Sequence, residues 1–194
     1  MKKIMFLGAL LCLTNSCKKK EPISIEEINS DEIVTITHNE KKIQTGDSVD
    51  IHFPKEFKIV MNSDNIIDLS IYYFINKRTL MNITDYEISE KINKKPILSF
   101  KSYLSSKKPI DIIIKERNHL ISKNEAKELL KKYNINQSLD NLKFGDTIKL
   151  IPYNQFRKEN NSTINDLKKI NDSIFFRVTS NEGKVFTKGE KINW

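Results

Sequence analysis

The stretch that most restricts the fold runs from Ile66 to Ile75. Ile67, Leu69, Ile71, Tyr73 and Ile75 recur at every second position, while Tyr72 and Phe74 add apolar weight between them. A period of two puts alternate side chains on opposite faces of a strand, and weight on both faces predicts a strand inside a sheet. The same alternation recurs upstream. Ile33, Thr35 and Thr37 alternate with Val34 and Ile36; Val49, Ile51 and Phe53 oppose Asp50 and His52; Phe57, Ile59 and Met61 follow. Pro54 ends a strand or marks an edge. Asn39–Lys42 and Asn62–Asn65 are turn sequences. Pro96–Lys101 and Ile110–Lys115 predict two more strands, whereas residues 80–92 carry no clear period. Ile174, Phe176 and Val178, the turn Asn181-Glu182-Gly183, and Val185-Phe186 predict a closing hairpin. Trp194, large and apolar, predicts a packed rather than frayed segment.

One helix is clearly written, over about residues 123–133. Ser122 with Glu125 forms a capping box, and Ala126, Leu129, Leu130 and Tyr133 make one apolar stripe. Glu128 and Lys132 pair across a turn on the wet side. Asn134 supplies a left-handed stop, with Ile135 set to reach Leu130. A second, shorter helix is expected over 162–171, with Ile164, Leu167 and Ile170 inward. Short strands, frequent turns and an inserted helix resemble the immunoglobulin-like or fibronectin-like β-sandwiches of exported bacterial proteins. The likeness is architectural, because the cysteine–tryptophan–cysteine core signature is absent. The fold expected is therefore mainly β.

The beginning of the chain reads differently. Lys2 and Lys3 precede an uncharged apolar run, Ile4 to Leu13, and Thr14-Asn15-Ser16 lead to Cys17. This is the layout of a secretory signal, with an apolar run too short to span a bilayer core of about 30 Å. Leu13-Thr14-Asn15-Ser16-Cys17 resembles the lipobox of bacterial lipoproteins, with Asn15 the loosest match. The resemblance implies that the Cys17 thiol takes a diacylglyceryl group, that residues 1–16 are removed, and that two or more acyl chains hold the chain durably to a membrane. Residues 17–31 then read as a lipidated tether and 32–194 as one β-rich globular domain. Gly46-Asp47-Ser48-Val49-Asp50-Ile51 echoes Gly145-Asp146-Thr147-Ile148-Lys149-Leu150; two β-units divided near 91–96 are the alternative, although strands commonly begin with Gly-Asp.

Charge and cysteine use narrow the function. The chain has 33 Lys+Arg and 25 Asp+Glu; Lys2 and Lys3 leave with the leader, so the mature chain carries net +6. Lys18-Lys19-Lys20 sit beside the anchor, where each lysine adds about 1 kcal/mol of attraction to an anionic lipid surface. An exported chain without a basic-aromatic motif is not expected to bind nucleic acid. Cys12 is lost with the leader and Cys17 carries lipid, so no disulfide is expected. His38, His52 and His119 are far apart and match no metal spacing, so no metal and no cofactor are expected. Ser105-Ser106-Lys107-Lys108 spells SxxK without companion motifs, and Asn82-Ile83-Thr84 is one of several Asn-x-Thr/Ser triplets of no consequence. Glu26-Glu27 reads as solvated tether. No catalytic residue is assigned. The expectation is a non-enzymatic envelope lipoprotein, anchored through Cys17, that binds an envelope protein or a cell-wall glycan. Two alternatives are an immunity lipoprotein that neutralises a toxin in the periplasm, and an enzyme whose site only folding assembles. Lys18 follows Cys17 where inner-membrane retention uses aspartate, and the Ile/Lys/Asn usage resembles lipoproteins of the Bacteroidota. The location expected is the periplasmic face of the outer membrane, with surface display the alternative.

Overall fold

A computed structural model describes residues 21–38, 47–106, 108–117, 119–143 and 145–194. Cys17, the leader and the turn at 39–42 lie outside the described residues. The alternating runs become antiparallel strands in three four-stranded sheets. The first has the order β1 (Ile23–Ile28), β4 (Pro54–Met61), β8 (Ile110–Glu116), β7 (Tyr86–Glu90). The second runs β10 (Thr147–Pro152), β2 (Ile33–His38), β3 (Ser48–His52), β9 (His119–Ser122). The third runs β12 (Val185–Lys191), β11 (Asp172–Ser180), β5 (Ile66–Ile75), β6 (Arg78–Thr79). The chain is thus mainly β and of the sandwich class, with a few short helices.

The first and third sheets share a core. Phe57 on β4 meets Phe176 on β11 edge-on at 5.5 Å, and the Tyr86 hydroxyl on β7 donates to the Ile71 carbonyl of β5 at 2.9 Å. The first and second sheets are joined by a bent ribbon. Ile51 pairs with His119 in one ladder and Pro54 with Lys115 in the next, so β3 runs through Phe53 into β4 while β8 runs into β9. Strands that switch sheets at a bend are the usual way a sandwich turns a corner. This corner positions the site described below.

The helix at 123–133 is α2 (Lys123–Lys132), and both halves of its capping box form. The Asn134 N–H donates to the Lys131 carbonyl and that of Ile135 to Leu130, with Asn134 at φ 54°, which is a Schellman close. It carries the chain from β9 at one edge of the second sheet to β10 at the other. The second helix is shorter than the sequence suggests: α4 (Asn161–Leu167) stops before Ile170, because β11 begins at Asp172.

Four further elements differ from expectation. Residues 23–28, read as tether, form β1, paired with β4 from Ile23–Met61 to Ile28–Glu56. The charges of Glu26 and Glu27 hide a strand that buries only one face. The strand expected over 96–101 is one bridge, Ser89–Pro96, followed by the single-turn α1 (Lys101–Leu104). Pro96 has no N–H for a ladder, and the buried pair Ile97 and Phe100 is spaced for a turn. In β5 the inward row begins at Ile66, not Ile67. A bulge opposite Thr179/Ser180 inserts a residue, so Ile66 is buried and Ile67 is 54% exposed. The fourth is α3 (Tyr153–Glu159), a helix that no apolar period announces.

Gly189 shows how β12 is held. A Cβ there would lie 2.8 Å from Cε1 of Phe175, whose ring covers the glycine and packs at 5.0 Å against Phe74. Gly189→Ala is expected to cost about 1 kcal/mol through this overlap, read as a lower urea midpoint. An unchanged midpoint would show that the ring moves aside freely.

Candidate functional site

Each inward apolar row carries a polar residue at the corner. The row Val49, Ile51, Phe53, Phe57, Ile59 includes Lys55; Ile110, Ile112 and Ile114 lead to Glu116; Val178, Phe176 and Ile174 lead back to Asp172; Leu69 and Ile71 lead to Tyr73. Lys55, Glu116 and Asp172 are each 1% exposed and His119 is 7% exposed. The strands therefore deliver charge to one dry place. Isolated buried charges are costly, so what surrounds them decides the chemistry.

Lys55 lies in an aromatic box. Its Nζ donates to the Tyr153 hydroxyl at 2.5 Å and to the Asn193 carbonyl at 3.3 Å, and sits 3.7 Å from the Trp194 ring centroid. Tyr153 is fixed because its N–H donates to the Glu32 carbonyl. Asn193 is fixed by donating its own N–H to Glu27 Oε2 at 3.1 Å. Burial pulls the Lys55 ammonium down to about 7, opposed by the charges of Glu27 and Asp172 and helped by Arg157. Burial raises the Glu27 carboxyl, with Lys55 acting against it.

His119 lies beside this box. Its Nε2 is 2.9 Å from Glu116 Oε2 and 4.0 Å from Asp172 Oδ2, and its ring meets Trp194 edge-on at 5.0 Å. The Glu116 contact is close but lacks hydrogen-bond alignment. Both oxygens of Glu116, both of Asp172, the Tyr73 hydroxyl and the Trp194 indole N–H also have no aligned partner among the described residues. Such groups keep unused bonding capacity, and leaving it unused costs about 1–3 kcal/mol each. Burial raises the Asp172 carboxyl to about 6; His119 opposes that shift and Glu116 adds to it. The Tyr73 hydroxyl is raised well above its usual value by burial, then by Glu116 and Asp172.

A cleft of about 820 Å³ lies above His119, between α2, α4 and the β3–β9 edge. Phe53, Ile121, Leu129 and Leu167 give it apolar walls, and Glu128, Lys132 and Asp166 a charged rim. Lys132 closes one end by donating to the Glu159 carbonyl at 2.7 Å and to Asn160 Oδ1 at 2.9 Å. His119 lines the cleft and touches the buried carboxylates, so it links the two. An apolar pocket with a few converging polar groups is the usual form of a ligand site.

No protein-family model, curated protein or solved structure matches this chain.

Of the three histidines, only His119 joins the buried cluster. His38 and His52 are brought to one separate polar cleft on the outer face of the second sheet. Ser105 of the SxxK run caps α1 and donates to the Ser102 carbonyl, and Ser106 donates to Tyr103. Glu27, read as tether, is part of the cluster. Asn62–Asn65 forms its turn, with Ser63 Oγ accepting from the Asn65 N–H. Among the described residues no three His, Cys, Asp or Glu side chains are grouped to hold a metal ion, and no helix is long and apolar enough to cross a membrane. Lys55, Glu116, Asp172 and Tyr153 were not singled out from the sequence. A signal existed: each of the first three continues an alternating apolar row by one more step.

Proposed function

We propose that this chain is a lipid-anchored protein of the bacterial envelope, held through Cys17, whose β-rich domain binds an envelope protein or glycan in the cleft above His119. The supporting observation is position. The chain enters the described domain where the Asn62 N–H donates to the Pro22 carbonyl, beside Asn65, which accepts from Asn181. Asn181 follows one end of β11, and Asp172 under His119 begins the other. Nine steps of about 3.3 Å separate them, so the cleft lies roughly 30 Å from the end at which the chain enters the domain. A binding surface at that distance from the entry of the chain suits a partner met from the aqueous side.

The test is a photo-crosslinking residue at Thr163 in the cleft, with one at exposed Lys95 as control, in native cells expressing the full chain. A discrete adduct from position 163 alone is the expected result, together with loss of membrane attachment in Cys17→Ala. Equal crosslinking from both positions, or membrane retention of Cys17→Ala, would overturn the reading. The contact of His119 with Glu116, and Asp172 behind it, favours one second reading: acid–base chemistry on whatever occupies the cleft. In that case the trapped partner is chemically altered by the wild-type chain and left intact by His119→Gln.

A further inference from the structure

The second cleft carries a separate chemistry. Strand alternation sends Val34, Ile36, Val49 and Ile51 inward and leaves Thr35, Thr37, Asp50 and His52 on the outer face of the second sheet. An outer face is normally wet, yet Thr35 and Asp50 are buried. They are roofed by the ends of β7 and β8, which bring Glu87, Lys115 and Arg117 over them. The result is a cleft of about 530 Å³ in which no described lining residue has an apolar side chain. Four threonine hydroxyls, from residues 35, 37, 84 and 147, line it alongside the two histidines.

Its charges are unevenly spoken for. Glu87 Oε2 is held by Arg117 Nη2 at 2.8 Å, and Asp146 Oδ2 accepts the Lys143 N–H at 2.8 Å. Asp50 also has a partner. Lys115, by contrast, has no ion-pair partner among the described residues. His52 is kept neutral, with Nε2 3.1 Å from Thr37 Oγ1. Burial lowers its pKa to about 4, and the positive charges of Arg117 and Lys115 add to that. Arg117 and Lys115 are thus the cations felt at the His52 imidazole, although three carboxylates also line the cleft. The residue before Thr84 is also held in a costly conformation. Ile83, a β-branched residue, sits at φ 72° while its carbonyl accepts from Arg117 Nη1.

We propose that this cleft binds a polyhydroxylated acid, a sugar bearing a carboxylate or phosphate, with its anionic group on Lys115 and its hydroxyls on the threonines. Each sugar hydroxyl both donates and accepts, and so does each threonine, so a lining of hydroxyls and imidazoles suits such a ligand from either side. The volume fits one or two sugar rings. The anion meets Lys115, which has no ion-pair partner among the described residues, and a charge-assisted contact of that kind is the stronger sort. This site is independent of the cleft above His119, on the other face of the same sheet.

The test follows the His52 imidazole by NMR in the full chain, with sodium glucuronate, glucose and inorganic phosphate as separate probes. Glucuronate is expected to saturate the cleft and raise the His52 midpoint from about 4, because a bound anion cancels the potential of Lys115 and Arg117. Glucose should bind about tenfold more weakly or worse, and Lys115→Met should reduce glucuronate affinity by a similar factor while far-ultraviolet dichroism is unchanged. Thr37→Val should weaken glucuronate and leave phosphate alone. The proposal is overturned if glucuronate leaves the midpoint where it was, if glucose binds as well as glucuronate, or if phosphate by itself binds as tightly. The first outcome removes the site, the second its anion and the third its hydroxyl contacts; crosslinking from Thr163 is untouched by all three.

Discussion

Phe53→Ala is expected to lower the unfolding free energy of the domain by about 4 kcal/mol, the largest single loss of any substitution considered. The ring is 1% exposed, and it meets His119, Tyr153, Phe156 and Trp194 with centroids 5.5–5.8 Å apart. Those four rings come from β9, α3 and the segment after β12, so Phe53 ties three otherwise separate pieces to the corner. Truncation removes the buried area and leaves a cavity beside His119, which touches Glu116 and Asp172, whose oxygens lack aligned partners among the described residues. Water entering that cavity would solvate them and offset part of the loss, which keeps the expectation below the sum of a cavity and four ring pairs. Urea unfolding should show a lower midpoint with an unchanged slope, and Phe53→Leu should recover more than half. A loss below about 1.5 kcal/mol would mean that the corner repacks and that Phe53 is not its keystone. Because Phe53 also walls the cleft, crosslinking from Thr163 should fall in the same variant.

The alternation that located the strands could also have located the charges. Residues 49, 51, 53, 57 and 59 are apolar and inward, so Lys55 between them had to be inward too; Pro54 obscured this by looking like a strand end. Glu116 and Asp172 sit one step beyond rows that were read correctly, at Ile110–Lys115 and at Ile174–Val178. What alternation cannot supply is the meeting of these rows. Nothing local in the sequence says that β3 continues into β4 through a bend, or that Asp172 on β11 faces His119 on β9. Those pairings have sequence separations of tens of residues and are fixed by sheet order. The helix α2 was legible because its caps are local: Ser122 and Glu125 lie three residues apart, and Asn134 closes the same helix. β1 was illegible for the opposite reason, since its one buried face depends on β4 being there to receive it. Ile67 was placed inward because a bulge is decided by the partner strand, and Thr179/Ser180 lie more than a hundred residues away.

Lys55→Met is expected to be close to neutral near pH 6 and to fall progressively behind the natural chain as the pH rises to 9. At pH 6 the buried amine is protonated in both the folded and the unfolded chain, so titration contributes no slope and the fold bears the cost of an enclosed ammonium. Methionine is of similar length and removes that cost. It also removes the bond to Tyr153 and the contact with the Trp194 ring, and it takes a positive charge from Glu27 and Asp172. Exchanges of a buried charge for an apolar side chain commonly come out near balance. Above pH 7 the balance shifts. The folded pKa is about 7 against an ordinary 10.5, so in this window the unfolded lysine holds a proton that the folded one has released. Stability of the natural chain then climbs by up to about 1.4 kcal/mol per pH unit from this group, and the methionine variant lacks that climb. The acid side offers no such clean comparison. Asp172, raised to about 6, gives stability present below its ordinary pKa and lost as the pH rises through 6; His52, lowered to about 4, gives stability lost as the pH falls through its ordinary 6.5 toward 4. Those two slopes oppose each other. Above pH 9 the raised hydroxyls of Tyr73 and Tyr153 begin to act against the fold, because the unfolded tyrosines ionise first. Urea unfolding at pH 6, 7.5 and 9 isolates Lys55. Trp194, the only tryptophan, reports from the wall of the box itself. A gap between the two proteins that stays constant from pH 6 to 9 would mean that the lysine is not held as a near-neutral amine against that ring.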